Sequence, residues 1–217
     1  MRTFGFPDFL FILEAARWTL ALSLIAFIGG ATLGLVIALA RTSESKTARL
    51  LSTGFIQVFQ GTPLLLQLFL IFFGAPVVGF DINPWIAAGV ALVLNSAAFL
   101  GEIWRGCIEA IPRGQTEAAH ALNLGYASRM RDVVLPQAFK IALAPTVGYV
   151  VQIIKGTSLA AIIGFTEVTR AGQIINNATF QPLYVFTSVA AIYFAICWPL
   201  SLMAARMERK RAIAFAR

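Results

Sequence analysis

The fold class is first indicated by the stretch WTLALSLIAFIGGATLGLVIALA, residues 18–40. These 23 residues carry no charge, and Arg17 and Arg41 stand at their two ends. As an α-helix with a rise of about 1.5 Å per residue, the stretch is about 34 Å long, enough to cross a hydrocarbon core of about 30 Å. It is too long for the apolar part of a signal peptide, and Asp8 and Glu14 precede it. The stretch therefore predicts a membrane-spanning helix.

The rest of the chain repeats this pattern of apolar stretches separated by charged segments. Apolar residues make up 59% of the 217 positions and charged residues only 12%. Soluble domains carry about 25% charged residues, so this composition excludes a soluble enzyme. We predict an all-α integral membrane protein, a single domain of residues 1–217 with five transmembrane helices. The predicted spans are residues 18–40, 51–73, 84–106, 141–163 and 183–205.

The distribution of lysine and arginine predicts the orientation. Thirteen of these 17 residues lie in the segments 41–50 and 105–140 and in the tail after residue 205. Cytoplasmic segments carry the excess of basic residues in multi-pass proteins. We therefore expect a multi-pass protein of the cytoplasmic (inner) membrane, surrounded by lipid, with its N-terminus outside and its C-terminus in the cytoplasm. The net charge of +7 is not gathered into a basic domain, so no nucleic-acid partner is expected.

The segment 107–140 is too long for a simple connection between two spans. Thr116 is predicted to cap a short helix with Glu117 in its first turn. Gly125 is expected to end that helix in a left-handed conformation, and Pro136 to break the next apolar run. A helix of two turns is not stable alone in water, so another surface must receive it. Two interpretations remain open: docking in a groove of a partner protein, or folding back along the membrane surface.

Several motifs in the chain resemble one family of membrane proteins. Glu117-Ala118-Ala119, Gly125 and Leu135-Pro136 have the spacing of the EAA loop of ABC importer permeases, with Val133 in place of the usual isoleucine. The other motifs are FQGTPLLLQ (59–67), AFLGEIWRG (98–106), IPRGQ (111–115) and KGTSL (155–159). Together they resemble the polar amino acid uptake subfamily, the histidine-, glutamine- and arginine-type permeases, over nearly the whole chain.

The resemblance implies a type I ABC importer. Two such permease subunits would receive a polar amino acid from a periplasmic or extracellular amino-acid-binding protein and move it by alternating access. A separate ABC ATPase dimer, which binds ATP and magnesium, would supply the energy. The segment 116–125 would be the cytoplasmic coupling helix that contacts this ATPase. The residues implied in coupling are Glu117, Ala118, Ala119, Leu122, Gly125, Arg129 and Pro136.

Two positions depart from the family pattern. Gln60 stands where an arginine usually precedes Gly-Thr-Pro, and Gly156 where an aspartate usually follows the lysine. Both differences remove a charge near the expected pathway, and a different second permease subunit could retain these charges. A heterodimer is therefore favoured over a homodimer.

The sequence contains no catalytic motif. No phosphate-binding loop of the form Gly-x4-Gly-Lys-Ser/Thr occurs, so ATP hydrolysis is assigned to a partner and no cofactor is expected on this chain. His120 is the only histidine, and Cys107 and Cys197 are isolated, so no metal site is predicted.

Polar residues inside the spans are the candidates for a solute pathway. Lys155 is the clearest, because a lysine inside a span costs roughly 2.5–3.5 kcal/mol on insertion. Alternatively, its long side chain reaches the headgroups. Glu102 either receives a cationic group of the solute or pairs with Arg105, one helical turn away. Pro63 is expected to kink or break the second span. The predicted pathway residues are Lys155, Thr157, Ser158, Glu102, Gln60, Thr62 and Gln67.

Two other functions remain open on the sequence alone. A passive channel would be expected to show rings of like charge or a repeated filter motif, and neither is visible. A membrane scaffold or receptor could recruit a soluble protein through the segment 105–140. The costly polar residues inside the spans argue against a scaffold, which does not need them.

Overall fold

The computed structural model describes residues 2–215, and the side chains of residues 2–210. Arg217 and the side chain of Arg211, both part of the predicted basic tail, lie outside this description. The helices are α1 (Phe6–Thr42), α2 (Lys46–Gly61), α3 (Leu64–Val77), α4 (Pro84–Glu109), α5 (Arg113–Ala121), the single turn α6 (Tyr126–Ser128), a π-helical turn (Arg129–Val134), α7 (Leu135–Gly156), a 3-10 helix (Thr157–Ile163), α8 (Val168–Thr179) and α9 (Pro182–Phe215).

Four stretches of helix in the described chain are long and apolar enough to cross a membrane. They are Phe6–Thr42, Pro84–Glu109, Tyr126–Ile163 and Pro182–Lys210. A fifth crossing is possible if α2 and α3 are counted together, although these two helices are bent by 99° relative to each other. The predicted number of spans therefore fits, with one crossing built from two helices.

The second span is not the single helix predicted at residues 51–73. α2 ends at Gly61, Thr62 is extended, and α3 begins after Pro63, whose φ of −59° and ψ of 135° are not helical. The expected break at Pro63 is confirmed, because proline has no N–H for the helical ladder and biases the preceding residue away from helix.

Close packing of α1 against α4 forms the centre of the bundle. A Cβ atom on Gly30 would lie 2.5 Å from the Cβ of Ser96, and one on Gly34 would lie 3.1 Å from the backbone nitrogen of Gly101. These contacts bring the two helix backbones together, as small residues four positions apart commonly do in membranes. The rest of the bundle is assembled around this pair.

The short helix in the segment 107–140 begins earlier than predicted. α5 starts at Arg113 and is preceded by Pro112, so Thr116 lies inside the helix and is not its N-cap. The pattern of capping residues missed this start because Pro112 has no side-chain oxygen. Proline is nevertheless well suited to a helix start, because it has no backbone N–H that would need a partner there.

The end of α5 also differs from the prediction. Asn123, with a φ of 56°, takes the left-handed conformation that was expected of Gly125, whose φ is −63°. The turn is closed by the N–H of Leu124, which donates to the carbonyl of Ala119 at 3.0 Å. Asparagine is the residue after glycine that tolerates this conformation best, and it comes first along the chain.

Pro136 does not break the chain, contrary to the prediction. It lies in the first turn of α7, directly after the π-helical turn Arg129–Val134. The wider π turn changes the hydrogen-bond pattern there, and a proline in the first turn of a helix is tolerated. The chain therefore runs as one apolar helical stretch over Tyr126–Ile163.

The last part of the chain contains a helix that the sequence analysis did not separate. α8 packs between α1 and α9, and the carboxylate of Glu167 caps its N-terminus. Thr19 on α1 accepts a hydrogen bond of 3.3 Å from the N–H of Val168. These contacts fix α8 against the bundle before the chain enters the final span.

Candidate functional site

The break between α2 and α3 is filled by polar groups. In a continuous helix the N–H of residue 63 would donate to the carbonyl of Phe59, but Pro63 has no N–H. The side-chain amide of Gln67 takes its place, donating to the carbonyl of Phe59 at 2.9 Å and to the carbonyl of Thr62 at 3.0 Å. Gln67 is only 6% exposed, so it satisfies backbone groups inside the protein.

Asn95 on α4 completes this network, and the sequence analysis missed it. Its amide nitrogen lies 3.3 Å from the carbonyl oxygen of Phe59 and 3.2 Å from the side-chain oxygen of Gln67. Asn95 is 9% exposed. A single asparagine in an apolar helix was the available signal, but its partner is 28 positions away in the sequence.

Two of the predicted pathway residues lie at the same break and are exposed. Gln60 and Thr62 both have exposed side chains. Gln60 also donates to the carbonyl of Ala98 on α4 at 3.2 Å, and the hydroxyl of Thr62 donates to the carbonyl of Val58 at 2.7 Å. The break therefore presents an amide, a hydroxyl and backbone carbonyls on one surface of the bundle.

The residues of the KGTSL motif fall into two groups. Lys155 is exposed and Ser158 is half-buried at the junction of α7 with the 3-10 helix. Thr157 is 0% exposed, and its hydroxyl donates to the carbonyl of Ile154 at 2.7 Å. Thr157 is therefore packed inside the bundle in this conformation. The motif presents a cation and a hydroxyl group at its surface.

Glu102 forms the local ion pair that was one of its two expected roles. The Nε of Arg105 donates to its carboxylate at 2.9 Å. Arg41 on α1 lies 4.0 Å from the same carboxylate, and Arg105 also binds Glu109. In the sequence analysis Arg41 marked the end of a span and was counted for the orientation, so this inter-helix cluster was not predicted. The side chain of Glu102 remains 33% exposed.

The expected coupling helix presents part of its surface outward and part inward. Leu122 is 75% exposed, and Glu117 and Ala118 are also exposed. Ala119 is 2% exposed, and α5 packs against the π-helical turn. The chain's own structure therefore receives the inner side of α5, while its outer side is available.

Arg129 holds this region together from inside. It is 8% exposed, its guanidinium contacts His120 and lies 3.7 Å from a carboxylate oxygen of Glu44. Its charged group also lies 5.3 Å from the ring centre of Tyr126. Because these partners come from three separate segments, Arg129 is placed to support α5 and not to form an outer contact.

A cavity of about 670 Å³ opens beside α5, where α1 and α4 end. Its lining is rich in charge, with Arg41, Arg49, Arg113 and Arg129 opposite Glu109 and Glu117. This end of the bundle thus carries both the exposed surface of α5 and a group of guanidinium ions. Among the described residues, no group of three or more His, Cys, Asp or Glu side chains is arranged to hold a metal ion.

Comparison with known proteins agrees with the fold and with the motifs. A family model described as the binding-protein-dependent transport system inner membrane component matches residues 17–213. The chain is 37% identical to the arginine transport system permease protein ArtQ of Bacillus subtilis (strain 168), covering 94% of each chain. It is 36% identical to the glutamine transport system permease protein GlnP of Escherichia coli (strain K12), covering 95% of each.

The fold of this chain also matches solved structures of ABC transporters. An amino acid ABC transporter crystallised with histidines matches with a TM-score of 0.87 and 34% identity, over 96% of this chain and 100% of that one. The MetNI methionine ABC transporter in an inward-facing conformation matches with a TM-score of 0.79 at 18% identity, which supports the fold. These findings confirm the resemblance drawn from the motifs. The chain belongs to the family of binding-protein-dependent transport system inner membrane components, the multi-pass permease subunits of ABC importers, in which a separate subunit hydrolyses ATP.

Proposed function

We propose that this chain translocates a polar amino acid across the cytoplasmic membrane by alternating access. The observation that carries the proposal is the pair of exposed polar surfaces inside apolar spans, one at Gln60 and Thr62 and the other at Lys155 and Ser158. Polar and charged groups are energetically costly in contact with lipid, so these side chains are expected to face water or another protein chain. Relatives named for glutamine and arginine transport, matched over nearly the full length, support the same solute class.

The chemistry of these surfaces suits a zwitterion. An ammonium group such as that of Lys155 attracts a carboxylate, and the amide of Gln60 and the hydroxyl of Thr62 can donate or accept hydrogen bonds. Glu102, already paired with Arg105, contributes to the pathway as part of a charged cluster with Arg41 and Glu109. Gln67 and Thr157, both buried, act as supports of the pathway walls.

One subunit does not enclose a path by itself, because these polar surfaces lie on its outside. A second permease subunit would cover them, as binding sites between subunits commonly require. The missing charges at Gln60 and Gly156 favour a heterodimer, in which the other subunit supplies them. An amino-acid-binding protein on the outer side would deliver the solute.

The exposed side of α5 is the proposed contact for the ATPase dimer, which carries ATP and magnesium. Glu117, Ala118 and Leu122 form this surface, while Ala119 and Arg129 attach it to the bundle. Gly125 and Pro136 belong to the connections on either side of the π-helical turn. The excess of basic residues at this end supports an orientation with α5 and the C-terminus in the cytoplasm and the N-terminus outside.

The test is ATP turnover by the reconstituted complex of this chain with its ATPase, its second permease and its binding protein. We expect an amino acid with its binding protein to raise turnover, and Glu117→Lys to abolish that rise or release the ATPase. Asp132→Lys is the matched control, because Asp132 is an exposed acid on the same cytoplasmic segment.

Each outcome has a clear meaning. Stimulation that is lost in Glu117→Lys and kept in Asp132→Lys supports the proposal, and a panel of amino acids then identifies the solute. If ATP turnover is unaffected both by the solute and by the Glu117→Lys substitution, the proposed coupling surface is wrong. Solute flux without ATP would favour a passive channel instead.

A further inference from the structure

Side chains bridge the angle that the backbone makes at Thr62 and Pro63, between α2 and α3. Pro63 removes the N–H that would donate to the carbonyl of Phe59, and the two helices meet at 99°. A backbone carbonyl without a donor inside a membrane protein is strongly disfavoured, because lipid offers no donor to replace the missing N–H. The groups that satisfy this carbonyl therefore decide whether the bent conformation is stable.

Two amides satisfy it, and they come from different helices. Gln67 belongs to α3, so its bond of 2.9 Å to Phe59 connects the two arms of the bend directly. Asn95 belongs to α4, and it donates both to Phe59 at 3.3 Å and to the oxygen of Gln67 at 3.2 Å. Asn95 is thus the one described residue outside α2 and α3 that bonds to both arms of the bend.

The bend also fixes two exposed residues of the proposed pathway. Gln60 and Thr62 lie one residue after Phe59 and one before Pro63, and Gln60 bonds to the carbonyl of Ala98, three residues along α4 from Asn95. A change in the angle between α2 and α3 would also move the side chains of Gln60 and Thr62, because both residues lie at the bend. Their position consequently depends on Asn95, whose side-chain amide donates to Phe59 and Gln67.

We propose that Asn95 is a positioning residue for transport: it locks the angle between α2 and α3 and so holds Gln60 and Thr62 where the solute passes. The link to transport rests on the function proposed above, whereas the lock itself is a statement about this chain's geometry. The lock makes α2, α3 and α4 move as one unit through the transport cycle.

The first measurement is the angle itself, in the reconstituted complex. Spin labels are placed at Leu50 on α2 and Leu70 on α3, which are 72% and 75% exposed, and labelled chains are diluted with unlabelled ones. Cys107 and Cys197 are both buried and compete poorly for the label. Since the α2 arm from residue 50 to the bend is about 16 Å long, a rotation of about 20° moves the label by about 5 Å.

Asn95→Leu removes the donors and keeps the size of the side chain. We expect a single narrow distance distribution in the parent chain and a broadened or shifted one in Asn95→Leu. Asn177→Leu is the control, since it makes the same chemical change at an exposed position of α8. If Asn95→Leu does not accumulate in membranes, Asn95→Ser, which is too short to reach Phe59, is measured in its place.

The second measurement separates positioning from simple loss of folding. In complexes assembled to the same level, we expect maximal solute-stimulated turnover to fall about tenfold or more in the Asn95 variant, because misplacing groups by about 1 Å is commonly that costly. Basal ATP turnover and the amount of bound ATPase should stay unchanged.

An unaltered distance distribution in the Asn95 variant overturns the inference, and so does an altered distribution with unaltered turnover kinetics. If the parent complex shows no solute-stimulated turnover, the proposed function fails, while the distances still decide whether Asn95 locks the bend.

Discussion

The hydroxyl of Tyr193 on α9 donates a hydrogen bond of 2.6 Å to the carboxylate of Glu167, which is 0% exposed. The same carboxylate accepts from the backbone N–H groups of Thr169 and Arg170, each at 2.9 Å. Burial raises the pKa of the Glu167 carboxyl, and these hydrogen bonds oppose the rise. This carboxylate connects the start of α8 with the last span.

Replacing Tyr193 with phenylalanine is expected to destabilise the chain by about 1.5–3 kcal/mol, the usual contribution of a hydrogen bond to a charged group, while the N–H groups of Thr169 and Arg170 continue to donate to the carboxylate. The raised pKa means that the folded state favours the protonated carboxyl, so stability falls as the pH rises from the unfolded to the folded pKa of Glu167. The loss in Tyr193→Phe should therefore be larger at about pH 8 than at about pH 5. Thermal unfolding in detergent measures it.

The exposed Tyr184 on the same helix provides the control. Tyr184→Phe should leave the unfolding midpoint unchanged at both pH values. Equal losses in the two variants, or a loss that does not depend on pH, would show that the bond to Glu167 has no special role.

The space around Gly30 on α1 and Gly54 on α2 predicts opposite effects on stability when each glycine is replaced by alanine. A Cβ on Gly30 would lie 2.5 Å from the Cβ and 3.2 Å from the carbonyl carbon of Ser96, so Gly30→Ala must push the helices apart. Overpacking of this kind typically costs about 1–3 kcal/mol. A Cβ on Gly54 meets nothing within 4 Å, so Gly54→Ala should gain up to about 1 kcal/mol of helix propensity. The measurement is the unfolding midpoint of each variant relative to the unmodified chain, which should fall in Gly30→Ala and rise in Gly54→Ala.

The charge of Lys155 is expected to matter for transport more than for folding. Lys155→Met should reduce solute uptake about tenfold, a change of about 1.4 kcal/mol in free energy, while Lys155→Arg keeps a substantial part of the activity. Protein yield should not fall, because an exposed apolar side chain inside a span costs less than a lysine. Uptake into proteoliposomes containing equal amounts of complex measures the effect.

Lys140→Met removes the same charge from an exposed position at the start of α7. Its uptake should match that of the unmodified chain. Normal uptake by Lys155→Met would instead favour the interpretation in which the lysine only extends toward the headgroups.

The outer surface of α5 is expected to bind the ATPase partly through Leu122. Leu122→Gln replaces a side chain that is 75% exposed, so folding should be unaffected. We expect about tenfold weaker retention of the ATPase in detergent, equivalent to about 1.4 kcal/mol. Ala127→Gln, which places the same amide on the exposed side of the neighbouring turn, should retain the ATPase fully. Equal retention by both variants would remove Leu122 from the contact.

Hydropathy and charge act locally, and the uncharged stretches that predicted the spans fall on helices of the structure. The uncharged residues 18–40 lie within α1, and the predicted third span, residues 84–106, lies within α4. The helix α8 was missed for a related reason. Residues 171–205 carry no charge, and an uncharged run by itself does not reveal where a helix ends and another begins.

The candidate site was less accessible from the sequence because its contacts are made across helices. Pro63 predicted the break in the second span. The local sequence does not show that Asn95 would donate to the carbonyl of Phe59, which the proline leaves without a backbone donor. The Glu102–Arg105 pair was foreseen as one of two possibilities because it is a neighbour along one helix, whereas Arg41 joins it from another. Tertiary packing decides which faces meet, and sequence spacing along one helix does not contain that information.

The close contact between Gly30 on α1 and Ser96 on α4 also has a consequence for biosynthesis. The two residues are separated by 66 positions in the chain, which takes a ribosome about 3–13 s to synthesise at about 5–20 residues per second. During that interval α1 is already in the membrane without the helix that fills its glycine surface. Its glycine-rich face must therefore be covered by lipid, by the insertion machinery or by another subunit until α4 arrives.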